Sequence, residues 1–247
     1  MTQLTAMKNF LVSLFSSGAN RDKTVADNEE NRRAGTNYQN VTIELAVFVD
    51  SSLFRGLKET FPDDTDRHVV NVVSAMLNAV QILFDDEALG HKVALLIKRI
   101  EVMKEEPNDL GMSDDIETLL TNFCQWQQNQ NMPNGHQLHW DHAILLTGQD
   151  LKSLSKRDGR YSKKIVGLSP VSGMCNGATS CMVSEGSHFE SVFVIAHELG
   201  HNLGMKHDGR NDLNECDPGA YLMSPTLGSD KNTWSSCSKN YLTEFLT

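Results

Sequence analysis

His197-Glu198-Leu199-Gly200-His201-Asn202-Leu203-Gly204-Met205-Lys206-His207-Asp208 sets three imidazoles and one carboxylate at fixed spacings within one short run. His197 and His201 lie four residues apart, so on a helix they project from one face and can share a metal ion. Glu198, about 100° round the same helix, reaches a water on that metal rather than the metal itself. Gly204 follows the last helical turn, where a residue without Cβ takes positive φ at little cost, and the reversal carries His207 back as a third ligand. Zinc is the metal expected: three neutral imidazoles leave one of its positions open for water, whose pKa falls to ~7. The chemistry predicted is hydrolysis, with Glu198 as general base taking the water's proton and passing it to the leaving amine of a peptide. Three unrelated histidines would be the ordinary alternative. With nine His in 247 residues, an accidental match of three His, one Glu and one Gly has a probability below about 10⁻⁴.

The rest of the chain has the composition of a single enzyme domain. At 247 residues, 39% hydrophobic and 22% charged, it can bury a sizeable core. Its formal charge is −10 and no basic cluster stands out, so no nucleic-acid partner is expected and an anionic membrane would repel it. No apolar run approaches the length of a membrane span. Residues 1–40 read as a flexible N-terminal segment. Phe10-Leu11-Val12-Ser13-Leu14-Phe15 is a weak signal-peptide core without a small-residue cleavage site, and a propeptide remnant or an added sequence are the alternatives. Asn40-Val41-Thr42 is an N-glycosylation sequon, relevant only to a secreted chain.

From residue 41 strand and helix patterns alternate. Residues 41–49 (VTIELAVFV) and 92–103 (KVALLIKRIEVM) read as strands from their Val and Ile content, and 65–87 carries a helical stripe of Val69, Val73, Met76, Val80 and Phe84. A helix capped by Ser113 runs through Leu119, Leu120 and Phe123, residues 142–147 form another buried strand, and the histidine helix is expected at 188–202. This order implies an α/β (α+β) domain, a mixed sheet with helices packed on it. Residues 166–174 fit an exposed edge strand near the metal, to which an extended peptide adds through backbone hydrogen bonds. A surface loop is the competing reading of their Gly and Pro. A specificity pocket is expected between the histidine helix and the chain after Met223, walled by Leu199 and residues near Thr226.

The histidine motif resembles the metzincin signature, and Tyr221-Leu222-Met223-Ser224-Pro225 resembles that clan's Met-turn, in which Met223 packs under the histidines without ligating the metal. His207 followed by Asp208 narrows the likeness to the adamalysin or reprolysin branch. Within it, residues 41–247 are most similar to the catalytic domain of the ADAMTS proteases, through Ile43-Glu44-Leu45-Ala46-Val47, Asn122-Phe123-Cys124-Gln125-Trp126-Gln127, Trp140-Asp141-His142-Ala143-Ile144-Leu145-Leu146-Thr147 and Trp234-Ser235-Ser236-Cys237-Ser238. The resemblance implies the metzincin fold: a mainly parallel twisted sheet, then the zinc helix and a small C-terminal subdomain. It also implies a secreted zinc endopeptidase acting on extended protein or peptide substrates, extracellular matrix proteins among them. Spacing leaves the connectivity of the five cysteines open. The resemblance implies Cys124 with Cys181 and Cys216 with Cys237, with Cys175 unpaired or pairing beyond the chain end, so that the domain is expected to be truncated there. It further implies a structural calcium on Glu44 and Asp141. The rival from another class is a catalytically weak metalloprotease-like binding module acting through protein contacts. Retention of Glu198 argues against it.

Overall fold

Strand β1 (Asn40–Val49) sends Ile43, Leu45, Val47 and Val49 to one face and Ala46 and Phe48 to the other, and all six are buried. A strand apolar on both faces needs cover on both, and its neighbours β2 (Lys92–Val102) and β3 (His142–Thr147) run parallel to it. Parallel neighbours require crossovers. Helices α1 (Ser51–Thr60) and α2 (Thr65–Phe84) supply the first and α3 (Ile116–Gln130) the second. These statements come from a computed structural model, which describes residues 40–247 apart from 156, 157, 227 and 229; of the segment expected at 1–40, residues 1–39 lie outside the described residues and Asn40 opens β1.

Beyond β3 the sheet adds β7 (Cys181–Glu185), parallel, and ends in β6 (Gly167–Leu168), antiparallel to β7, so the order is β2-β1-β3-β7-β6. A hairpin of β4 (Ser153–Leu154) and β5 (Tyr161–Ser162) pairs separately just before β6. Helix α4 (Ser191–Asn202) carries the first two motif histidines and α5 (Ser236–Phe245) closes the chain. One core lies between the sheet, α2 and α4, with Val69, Val73, Val80, Phe84, Ile195 and Leu199 meeting the Val47 face of β1. The other lies under α3. There Phe48 meets Phe123, Trp126 and Trp140 at ring-centroid separations of 5.8, 5.1 and 6.0 Å.

The expected α/β architecture with a mostly parallel sheet is the one observed, and four details differ. Helix α1 was not legible in the sequence. It starts because Asp50, fully buried, accepts the Leu53 N–H at 2.7 Å, the Gly148 N–H at 3.1 Å and the Thr147 hydroxyl. Helix α3 is capped by Asp115, which accepts the Thr118 N–H at 3.0 Å, and not by Ser113, whose hydroxyl accepts the Asp115 N–H instead. Helix α2 is long and apolar enough to cross a bilayer, contrary to the reading from the sequence. Its stripe is nevertheless buried in the core while Asp66, Arg67, Asn71 and Asn78 face outward, the pattern of a core helix. The edge strand pairs at Gly167 and Leu168, with one further backbone bond from the Glu185 N–H to Val166 O, rather than over 166–174. Past it, the Ser172 and Met174 N–H groups donate to the carbonyls of His201 and Asn202, so the chain leaves the sheet to satisfy the end of α4.

Candidate metal centre and active site

Helix α4 is buried almost all round, and Phe193 is its one residue left partly exposed. It stops at Gly204, whose φ is +88°. The Met205 N–H donates to Gly200 O and the Gly204 N–H to His201 O, both at 2.9 Å, which is the Schellman arrangement around a left-handed residue. That reversal brings His207 over the helix. The ring nitrogens of His197, His201 and His207 gather within 4.8 Å of one another. His207 Nε2 lies 3.2 Å from His197 Nε2 and 3.1 Å from His201 Nε2.

The protons on these rings are placed by their outer partners. His197 Nδ1–H donates to Leu222 O at 2.6 Å and His201 Nδ1–H to Met205 O at 2.7 Å, since a carbonyl only accepts. Each Nε2 of that pair therefore presents a lone pair inward. Burial pushes the two imidazoles down to about 3 for His197 and about 4 for His201, so both are neutral near pH 7. Converging lone pairs repel unless a cation sits among them. The residues fit a zinc ion on chemical grounds.

Glu198 is buried, its Oε2 has no hydrogen-bond partner among the described residues, and burial raises its pKa to about 8. An unmet acceptor next to the histidines is what a proton acceptor for water requires, and a nearby divalent cation favours its ionised form. Gly167 of β6 lies directly against it: a Cβ there would stand 2.4 Å from Val194 Cγ1, 3.1 Å from Glu198 Cγ and 3.2 Å from Glu198 Oε1. Met223 is buried under α4, where a Cβ on Gly200 would come within 2.8 Å of its sulfur. The Met223 carbonyl accepts the Asp208 N–H at 2.8 Å, and buried Asp208 accepts the Ser235 hydroxyl at 2.6 Å, fastening the turn to α5.

A family model described as "Reprolysin (M12B) family zinc metalloprotease" matches residues 42–247. The chain belongs to that family. Over 218 residues it is 34% identical to "A disintegrin and metalloproteinase with thrombospondin motifs adt-1" of Caenorhabditis elegans, an overlap of 85% of this chain and 14% of the relative. Over 183 residues it is 39% identical to "A disintegrin and metalloproteinase with thrombospondin motifs 7" of Mus musculus, 72% of this chain and 11% of that protein. The chain thus spans less than a fifth of these relatives' length. Among solved structures, metalloproteinase-II from Bacteroides fragilis shares the fold, with a TM-score of 0.53 and 16% identity over 84% of this chain and 54% of that one.

The remaining expected residues fall as follows. Cys124 is bonded to Cys181 and Cys216 to Cys237, while Cys175 is a free, exposed thiol. Glu44 and Asp141 line one cleft of about 730 Å³. There Asp141 Oδ2 already accepts the Glu44 N–H at 2.9 Å and Glu44 Oε1 pairs with Lys98 at 3.1 Å. Calcium takes six to eight oxygens, and Glu44 and Asp141 are the carboxylates that line the cleft among the described residues. Leu199, expected to wall a specificity pocket, is fully buried in the core.

Three residues that matter here were not singled out from the sequence. Gly167 offered a signal, since a glycine within a strand often marks close backbone approach. Asn202 and His142 offered none. Asn202, fully buried at the end of α4, donates to Ser169 Oγ, Pro170 O and Thr179 O at 3.2, 3.0 and 2.9 Å, and its Oδ1 accepts from His142 Nδ1 at 3.1 Å. It ties the segment after β6 to the histidine helix.

Proposed function

We propose that this chain is the catalytic domain of a secreted zinc-dependent endopeptidase that hydrolyses peptide bonds of extracellular proteins, matrix proteins among them. The observation that carries this reading is the set of three converging imidazoles, two of them tautomerically fixed, beside a buried carboxylate with an unmet acceptor. His197, His201 and His207 would hold the metal. Zinc, when bound, supplies Lewis acidity that lowers the pKa of water and stabilises negative charge on a carbonyl oxygen.

The other roles fall to the chain itself. Glu198 takes the proton of the attacking water at its free carboxylate oxygen and delivers it to the leaving amine nitrogen. Leu222 O and Met205 O orient His197 and His201, and burial of α4 keeps bulk water from the imidazoles. The edge of β6 beside Glu198 offers backbone groups to an extended substrate, which the peptide completes as an added strand. Two disulfides support an oxidising, extracellular setting.

The test is cleavage of a proteome-derived peptide library, read by mass spectrometry, by the wild type and Glu198→Ala, each with and without a zinc chelator. Chelator-sensitive cleavage that the variant loses while keeping its zinc is the expected result. Cleavage by Glu198→Ala at the wild-type rate would remove Glu198 from the mechanism.

A further inference from the structure

The charge of the chain is not evenly spread. Although its formal charge is −10, six of its 22 lysines and arginines fall in residues 152–164, where Asp158 is the one carboxylate. Residues 156 and 157 lie outside the described residues; the others belong to the β4–β5 hairpin and to the link that runs from it into β6. Lys152 is paired with Asp114 and Lys163 with Asp150. Arg160 and Lys164 are exposed, and neither side chain is in an ion pair among the described residues, while the Arg160 N–H donates to Asp158 Oδ1 at 3.2 Å. The hairpin also exposes the cross-strand pair Leu154 and Tyr161.

Position gives this patch its meaning. Glu185 N–H donates to Val166 O, so the strand pairing of β6 reaches back to residue 166, two residues from Lys164. Gly167 faces Glu198, which puts the bond to be cleaved beside it. A peptide added antiparallel to β6, the more stable pairing, runs in the opposite direction to the chain. Its residues C-terminal to the cleaved bond therefore pass Lys164 and Lys163. At about 3.3 Å per residue, Lys164 stands about 10 Å from Gly167, so the substrate residues that meet it are three or four positions after the bond.

We propose that this basic hairpin is a specificity surface for acidic substrate segments, recognising Asp or Glu three or four residues C-terminal to the cleaved bond through Lys164, with Arg160 adding to the positive field. The inference deepens the proposed peptidase reading and rests on it. An acidic peptide is favoured over an anionic polysaccharide because Lys164 stands two residues before Val166, where the backbone pairing of the strand that the peptide joins begins. Exposed charges act through steering and weak pairing, so the selectivity is salt-dependent.

The experiment compares two peptides that differ only at the third and fourth residues after the cleaved bond, Asp-Glu in one and Asn-Gln in the other. Each is digested by the zinc-loaded wild type and by the Arg160→Glu/Lys164→Glu variant. The wild type is expected to cleave the acidic peptide with about tenfold higher kcat/KM at about 0.05 M salt, and the variant to show a ratio of one or below. Raising salt to about 0.5 M shortens the screening length from roughly 14 Å to about 4 Å and should bring the wild-type ratio near one, a readout independent of how the variant folds. Equal cleavage of both peptides by the wild type at low salt overturns the specificity surface and leaves the peptidase reading standing. Heparin that inhibits both peptides equally, with no preference between them, assigns the patch to a polyanion and also overturns it. If neither peptide is cut, the peptidase reading fails and the specificity surface falls with it.

Discussion

Replacing Gly167 by alanine should separate catalysis from metal binding. The added Cβ would stand 2.4 Å from Val194 Cγ1 and 3.1 to 3.2 Å from the Glu198 side chain, so something must move. Overpacking of this kind costs about 1–3 kcal/mol. In a domain of this size that lowers Tm by about 2–4 °C per kcal/mol. The rate should suffer more, because Glu198 or the β6 backbone shifts by a few tenths of an ångström to about 1 Å, and a misplacement of 1 Å is worth about 10²-fold. The histidines are held from their far side by Leu222 O and Met205 O, which the substitution does not touch, so zinc stoichiometry should stay at the wild-type level. The assay is kcat/KM on a peptide substrate, with calorimetry and metal analysis alongside. Adding Val194→Ala removes the 2.4 Å contact but leaves the Glu198 contacts. The double variant should therefore recover Tm without recovering rate. A Gly167→Ala enzyme within about twofold of wild-type kcat/KM would refute the close packing of β6 on Glu198 as a requirement for turnover.

Three further outcomes are expected. His201→Ala should lose its metal by elemental analysis; unchanged zinc content would remove His201 from the ligand set. His142 is fully buried and its pKa falls from 6.5 to about 3 through desolvation. Its folded pKa lies below the unfolded one, so the unfolded chain binds the proton first and stability drains away as pH falls from about 6.5 toward 3, by about 1.4 kcal/mol per unit. Urea melts of chelator-treated protein at several pH values should show a shallower pH slope in His142→Asn, and equal slopes would contradict the burial argument. The Cys124–Cys181 bond closes a separation of 57 residues and Cys216–Cys237 one of 21. Chain entropy assigns them about 4 and about 3 kcal/mol, so serine pairs at 124 and 181 should lower stability in denaturant more than those at 216 and 237.

Much of the fold was readable where a segment's pattern and its environment agree. Residues 41–49 and 92–103 were recognisable as strands because Val and Ile recur in them, and the stripe from Val69 to Phe84 has the helical period. Helix α1 was not, because it depends on Asp50 meeting Gly148 and Thr147, which lie nearly a hundred residues away. The edge strand was placed correctly but made too long, since nothing local to residues 169–174 shows that their N–H groups will be drawn to His201 and Asn202.

The sequence by itself determined the ligand set proposed for the metal. Four-residue spacing, a glycine stop and a third histidine act within eleven residues, over which helix and turn geometry are fixed locally. Only the tertiary structure decided what those residues can do. The tautomers of His197 and His201, the burial that leaves Glu198 Oε2 unpartnered, and the approach of Gly167 come from contacts made by residues far apart in the chain. Proton affinity and electrostatic reach depend on what surrounds a group in space, and that environment exists only once distant segments have packed together.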